Sequence, residues 1–279
     1  MLSLKAHFLP SLTTPDELEG AAVVVIDVLR ATTVITHALA AGARDVVPCL
    51  EVDDAQRVAT ALPKGHAVLG GERGGLKIEG FDLGNSPDEF TAATIGGRTL
   101  VFTTTNGTRA MMHCQRARRV LIGAFVNASA VMRALADEER VHLLCAGTRG
   151  AVTREDVLLA GFIVDGLLNR SAPEPSAEIN DELLIARTCW QAFAAGRQIP
   201  ELPSDLAATL RFTQGGRNLK KIGLEHDIDA AACIDRFSIV PELDVQVWRI
   251  VNGRGAAFPG RHSLSTASSG PAGFGFGER

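Results

Sequence analysis

Ala22–Ile26 is an unbroken apolar run, and the residues that follow it include Asp27, Arg30, Thr32 and Thr33. A carboxylate at the end of an apolar strand suits Mg2+, which takes oxygen ligands, usually one or two carboxylates with waters and a substrate phosphate. The Arg and Thr side chains suit the phosphate. Free N–H groups at a helix start favour an anion, and hydroxyls add donors. Each residue also has a plainer role open to it. Asp27 can cap a helix or pair with Arg30, and Thr is an ordinary N-cap.

The segment Gly70–Phe90, GGERGGLKIEGFDLGNSPDEF, holds a second constellation. A long connection without structure of its own is unusual in a compact domain and tends to be functional. Leu76, Ile78, Phe81, Leu83 and Phe90 give it apolar anchors, which argues against disorder. Its glycines allow the backbone to approach a ligand closely. Glu72 and Asp82 offer metal-binding carboxylates, while Arg73, Lys77, Asn85 and Ser86 offer donors to an anion. A solvated surface hairpin is the alternative reading. Thr104, Thr105, Asn106 and Gly107 follow the apolar run Thr99–Phe102 in the same way, and Ala146–Gly150 follows Val141–Cys145. Asp156, beside Glu155 at the next helix start, is a further metal candidate, although the helix dipole favours an acid there in any case.

Familiar alternatives are missing. The chain has no GxxxxGK[ST] or GxGxxG for nucleotides and no GxSxG elbow. Arg149 lies four residues after Cys145, too close for a cysteine phosphatase loop, and Leu29 stands where an aspartyl-phosphate enzyme would place its second aspartate. Tyrosine is absent, and none of the seven histidines has metal-ligand spacing.

Positioning these clusters requires strands and helices in alternation. Ala22–Ile26, Thr99–Phe102, Arg119–Ile122 and Val141–Cys145 each run into a polar cluster and then a helical pattern, the last reaching from about Glu155 to Leu168. Arg44–Cys49 and His66–Gly71 predict strands flanking a helix at Val52–Leu62. Such alternation predicts an α/β fold with a largely parallel or mixed sheet and helices on its faces. Ligands bind outside the carboxyl ends of such strands, so the four clusters should gather on one edge. Pro173–Ser176 marks a loop or lobe boundary near 171–177 before a helical segment at Glu178–Ala195. The repeated pattern is compatible with two similar lobes. Residues 1–252 are expected to form the α/β domain, and the Gly- and Ser-rich residues 253–279 a flexible tail.

With 279 residues, 46% of them hydrophobic, the chain can bury a substantial core. A net charge of −4 gives no electrostatic case for nucleic acid. No run is long and apolar enough for a membrane span, and the first residues lack the apolar core of a signal peptide. Five scattered cysteines without a CxxC pair read as reduced thiols. The expectation is a cytoplasmic protein with no nucleic-acid or membrane partner, and a homodimer is the commonest assembly for a soluble enzyme. A non-catalytic anion-binding protein is the rival class. Carboxylates on the site edge argue against it, because without a metal they would repel the ligand.

Five segments, VVVIDVLRATTVI, GERGGLKIEGFDLGNSP, TTTNGTRA, CAGTRG with the following EDVLLAG, and GGRNLKKIGLEHDID…VP, closely resemble the 2-phosphosulfolactate phosphatase family. The resemblance runs in order and spacing over about residues 2–243. It implies a layered α/β/α fold and Mg2+-dependent hydrolysis of 2-phosphosulfolactate to sulfolactate and phosphate, a step on the route to coenzyme M. The matching blocks contain Asp27, Arg30, Thr32 and Thr33; Glu72, Arg73, Asp82, Asn85 and Ser86; Thr104, Thr105, Asn106 and Gly107; and Asp156. Within them, Asp27, Glu72 and Asp156 are the expected catalytic carboxylates and, with Asp82, the expected metal ligands. The Arg, Thr, Asn, Ser and Gly residues are expected to bind the small phosphorylated anion. Another phosphorylated hydroxy acid is the alternative substrate.

Overall fold

The computed structural model describes residues 3–170, 178–197 and 201–253. The expected lobe boundary at 171–177 lies outside the described residues, as does the expected tail beyond Gly253. The chain begins with β1 (Ser3–His7) and β2 (Ala22–Ile26), then α1 (Ala31–Ala40), β3 (Asp45–Pro48) and α2 (Val52–Ala61). Next come β4 (Ala67–Arg73), β5 (Leu76–Lys77), α3 (Ala92–Ile95), β6 (Thr99–Thr103) and α4 (Gly107–His113). Then follow β7 (Arg119–Gly123), α5 (Ala128–Ala134), β8 (Arg140–Cys145) and α6 (Arg154–Arg170). The last part holds β9 (Glu178–Ile179), α7 (Asp181–Ala194), α8 (Leu202–Leu210), α9 (Gln214–Lys221), α10 (His226–Ala231), β10 (Pro241–Asp244) and β11 (Arg249–Asn252).

The strands form one 11-stranded mixed sheet in the order β5-β4-β6-β3-β11-β10-β7-β2-β8-β1-β9. Helices cover both faces, giving the layered α/β/α fold. Side-chain alternation divides β2 between the layers, as a pleated strand buried on both sides must. Ala22, Val24 and Ile26 pack toward α6, α7 and α8, whereas Val23 and Val25 pack toward α1 and α4. A smaller cluster around Ala55, Phe81 and Val101 seats α2 against β3 and β6. All five β2 side chains are buried, each contributing roughly 1.5–3 kcal/mol if apolar and large.

The sheet consists of two parallel blocks joined by a hairpin. β4, β6 and β3 are parallel to one another, and so are β7, β2, β8, β1 and β9. Between them lies the antiparallel pair β10–β11, with β10 antiparallel to β7 and β11 antiparallel to β3. The two blocks therefore run formally in opposite directions. Sheet twist of about 20–25° per strand accumulates to roughly 80–100° over the four steps from β2 to β3. Blocks so rotated are closer to perpendicular than to antiparallel, and residues following β2, β6 and β8 line one cavity. They meet there, though not for the reason a simple parallel sheet would supply.

Two expectations need correction. The Gly70–Phe90 segment is not structureless, because β4 continues to Arg73 and returns as β5, with Glu72 opposite Lys77. Gly74 and Gly75, at φ 64° and 88°, form the turn where positive φ suits a tight hairpin. Nor do all four polar clusters share the site. The cluster after β7 is internal: Asn127 is fully buried, accepting from Ala124 N and donating to the carbonyls of Ile122 and Ile239.

Candidate active site

Asp27 stands at the end of β2, on a turn held by its own neighbours. Thr32 Oγ1 accepts from Asp27 N at 3.1 Å and donates to Asp27 O at 2.9 Å, and Thr33 Oγ1 donates to Val28 O at 2.8 Å. Asp156 Oδ1 accepts from Val28 N at 2.9 Å, and its Oδ2 accepts from Gly147 N at 3.0 Å. One carboxylate thus ties the β2–α1 turn to the β8–α6 loop. Asp27 Oδ1 accepts from Ala31 N at 3.3 Å, while no donor among the described residues reaches Oδ2.

Glu72 approaches from the other block. Its Oε1 accepts from Thr105 N at 2.8 Å and its Oε2 from Gly75 N at 2.6 Å, which fixes the hairpin tip to the β6–α4 turn. Arg30 is buried and bonded through Nη1 to Asp227 Oδ2 and through Nη2 to Gly75 O, both at 2.6 Å. Asp227 also accepts from Ser86 Oγ. Gly107 begins α4 so close to α1 that a Cβ there would lie 2.6 Å from Ala31 Cβ and 2.9 Å from Asp27 Oδ2.

These elements enclose a cavity of about 310 Å³. Of the expected residues, Asp27, Arg30, Glu72, Asn85 and Thr104–Asn106 line it. Asn85 is buried, and its Oδ1 has no hydrogen-bond partner among the described residues. The remaining expected residues stand behind the wall. Thr32 and Thr33 lock the β2–α1 turn, and Ser86 holds Asp227. Arg73 bonds the carbonyls of Glu72 and Leu50 and the Thr103 hydroxyl. Asp82 is exposed and accepts from Leu69 N at 2.8 Å. Asp82 and Asp156 are therefore not brought to the cavity, and a ligand role for them has no geometric support. Both accept from backbone N–H groups. Glu72 also accepts from two backbone N–H groups, but unlike Asp82 and Asp156 it lines the cavity, where the remaining lone pairs of its oxygens can serve a ligand.

Burial pushes the Asp27 carboxyl up to about 7, and the nearby charges of Glu72 and Glu155 add to this against the pull of Ala31 N–H and Arg30. Asp156 is raised well above the carboxylate range by burial and by Asp27 and Glu155. Burial raises Glu155 as well, although it bonds Gly215 N at 3.0 Å. Acidic charge is thus crowded around the cavity floor. Among the described residues no three His, Cys, Asp or Glu side chains gather closely enough to enclose a metal ion. Two carboxylates facing one polar cavity do fit Mg2+, which completes its shell with waters and substrate phosphate rather than a protein cage.

The lining also contains residues the motif reading did not single out. Thr148 and Arg149 come from the β8–α6 loop, and Arg149 N donates to Asn106 Oδ1 at 3.1 Å. Asn218, Leu219 and Lys221 come from α9. The strand-end position of Ala146–Gly150 could have marked the first pair. Only the GGRNLKKIG block, far away in sequence, carries the second.

A model of the 2-phosphosulpholactate phosphatase family matches residues 7–246. The chain is 41% identical over 227 residues to a protein of Symbiobacterium thermophilum, covering 81% of this chain and 92% of that protein. It is 39% identical over 235 residues to one of Synechococcus sp., covering 82% and 92%. A third, from Caldanaerobacter subterraneus subsp. tengcongensis, is 36% identical over 228 residues, covering 81% and 89%. Each of the three carries the name "Probable 2-phosphosulfolactate phosphatase".

Proposed function

This chain belongs to the 2-phosphosulfolactate phosphatase family, a family of phosphoric monoester hydrolases, and from that premise we propose that it hydrolyses 2-phosphosulfolactate to sulfolactate and phosphate in a Mg2+-dependent reaction. The observation that carries the reading is the pair Asp27 and Glu72, which reach one cavity from opposite blocks of the sheet.

Asp27 and Glu72 would hold Mg2+, which when bound would neutralise charge on the phosphoryl oxygens. The chain's own residues supply the rest. Phosphoryl transfer depends chiefly on positioning and electrostatics. Arg30 is fixed by Asp227 and Gly75 O, so its charge is set in the wall before substrate arrives. Asn85, Thr104 and Asn106 offer polar atoms toward the cavity, and Glu72 fixes the Thr105 amide beside them. With the phosphoryl group so held, a water attacks phosphorus, the bond from phosphorus to the sulfolactate oxygen breaks, and that oxygen takes up the proton the water gives up. Asp156 and Thr32 position Asp27 without touching substrate.

The reading extends to a cytoplasmic enzyme in a coenzyme M-type route. Its test is phosphate release from racemic 2-phosphosulfolactate and from other phosphorylated hydroxy acids, with Mg2+ and with EDTA. EDTA-sensitive release, fastest on phosphosulfolactate, is expected. Faster release from another ester would replace the substrate, and EDTA-insensitive release would remove the metal from the proposal.

A further inference from the structure

The cavity has two electrostatic ends. Asp27 and Glu72 form the acidic one. Arg30, the buried cation in the wall, has Nη1 on Asp227 and Nη2 on Gly75 O, so it is not free to close on a second ligand group. Arg149 and Lys221 also line the cavity, and neither has an ion-pair partner among the described residues. They come from separate elements. Arg149 is tied to the β6–α4 wall by its N–H bond to Asn106 Oδ1. Lys221 ends α9, whose Asn218 faces the same space. Glu155 accepts from Gly215 N in the first turn of α9, which fixes that helix over the floor.

A simple phosphate monoester needs only the acidic end with its metal and the adjoining amides. Arg149 and Lys221 are both exposed at the cavity's rim, where solvent serves them in the free protein, and their place opposite the acidic end suits another anionic group on the same substrate. Arg149 brings a planar fork that bonds acid oxygens in pairs, and Lys221 a mobile point charge. We propose that Arg149 and Lys221 form a sulfonate subsite, selecting phosphate monoesters that carry this permanently ionised acid in addition to a carboxylate. This inference rests on the phosphatase reading and adds to it the residues that set its selectivity.

The test compares kcat/KM for 2-phosphosulfolactate and for 2-phospholactate, which keeps the skeleton but lacks the sulfonate. The enzymes are wild type, Arg149→Ala, Lys221→Ala, the double variant and Lys220→Ala, with melting temperatures to verify folding. Lys220 is exposed, neighbours Lys221 and does not line the cavity, so Lys220→Ala controls for net charge. The double variant is expected to lower the phosphosulfolactate-to-phospholactate ratio roughly 10- to 100-fold, the scale of charged hydrogen bonds. The loss should fall mainly in KM, and Lys220→Ala should leave the ratio unchanged. Equal losses on both esters, or an unchanged ratio in the double variant, would overturn the subsite while leaving the phosphatase reading intact. Wild-type enzyme that releases phosphate from neither ester would instead overturn the phosphatase reading, and the subsite with it.

Discussion

Asp27 combines burial, a neighbouring Glu72 and a carboxyl raised to about 7. Its folded pKa lies above the ordinary 3.8, so its protonation favours folding at low pH. That contribution is lost as pH rises from about 4 through about 7. Asp27→Asn keeps an oxygen for Ala31 N and removes the buried charge. Metal-free melts should therefore show the variant at least as stable as wild type at pH 8, with a shallower decline across that range. Turnover should fall on the order of 10²–10³-fold, as for loss of a preorganised charge contact. Reduced stability with retained turnover would contradict both halves. Asp27 was legible in the sequence, because an acid ending an unbroken apolar run has few other places to be. Asp156 and Asp82 were not separable from it by type. What distinguishes them is which backbone N–H groups meet their oxygens, and only the folded loops decide that.

At the level of elements, the site depends on how closely α1 and α4 approach. Gly107 permits that approach, with space for a hydrogen and not for a methyl. Gly107→Ala should push the two helix starts apart and displace Asp27. We expect at least a tenfold fall in kcat, with a stability loss of about 1–3 kcal/mol, the usual range for overpacking. Kinetics together with denaturant melts check the two figures. The strand–cluster–helix units were legible because their apolar runs are long and their helices periodic. β1 and the β10–β11 pair were harder to see. β10 has four residues and begins with Pro241, a residue that usually argues against an interior strand. The wall from α9 was hidden for another reason: Asn218 and Lys221 resemble any solvated helix residues until the helix is placed over the cavity.

For the whole molecule, β10 and β11 are the seam between the two parallel blocks. Leu243 and Ile250 are buried in the core shared with α1 and β3, and Trp248 Nε1 donates to Pro48 O at 2.8 Å. A chain ending at residue 238 would leave β3 and β7 with open edges and the core exposed between them. It should fail to give a cooperative melt, and added peptide 239–253 should restore one at least in part. A sharp transition in the truncated chain alone would show that the blocks cohere without the seam.

The seam also orders events in time. Asp27 and Glu72 are both synthesised within the first third of the chain, yet within the sheet their blocks are joined by strands made near position 250. On the ribosome, an emerging chain carries both acids long before the strands that complete the sheet between them. Assembly of the site is thus expected to wait for the last strand pair, and in the proposed enzyme hydrolysis would wait with it.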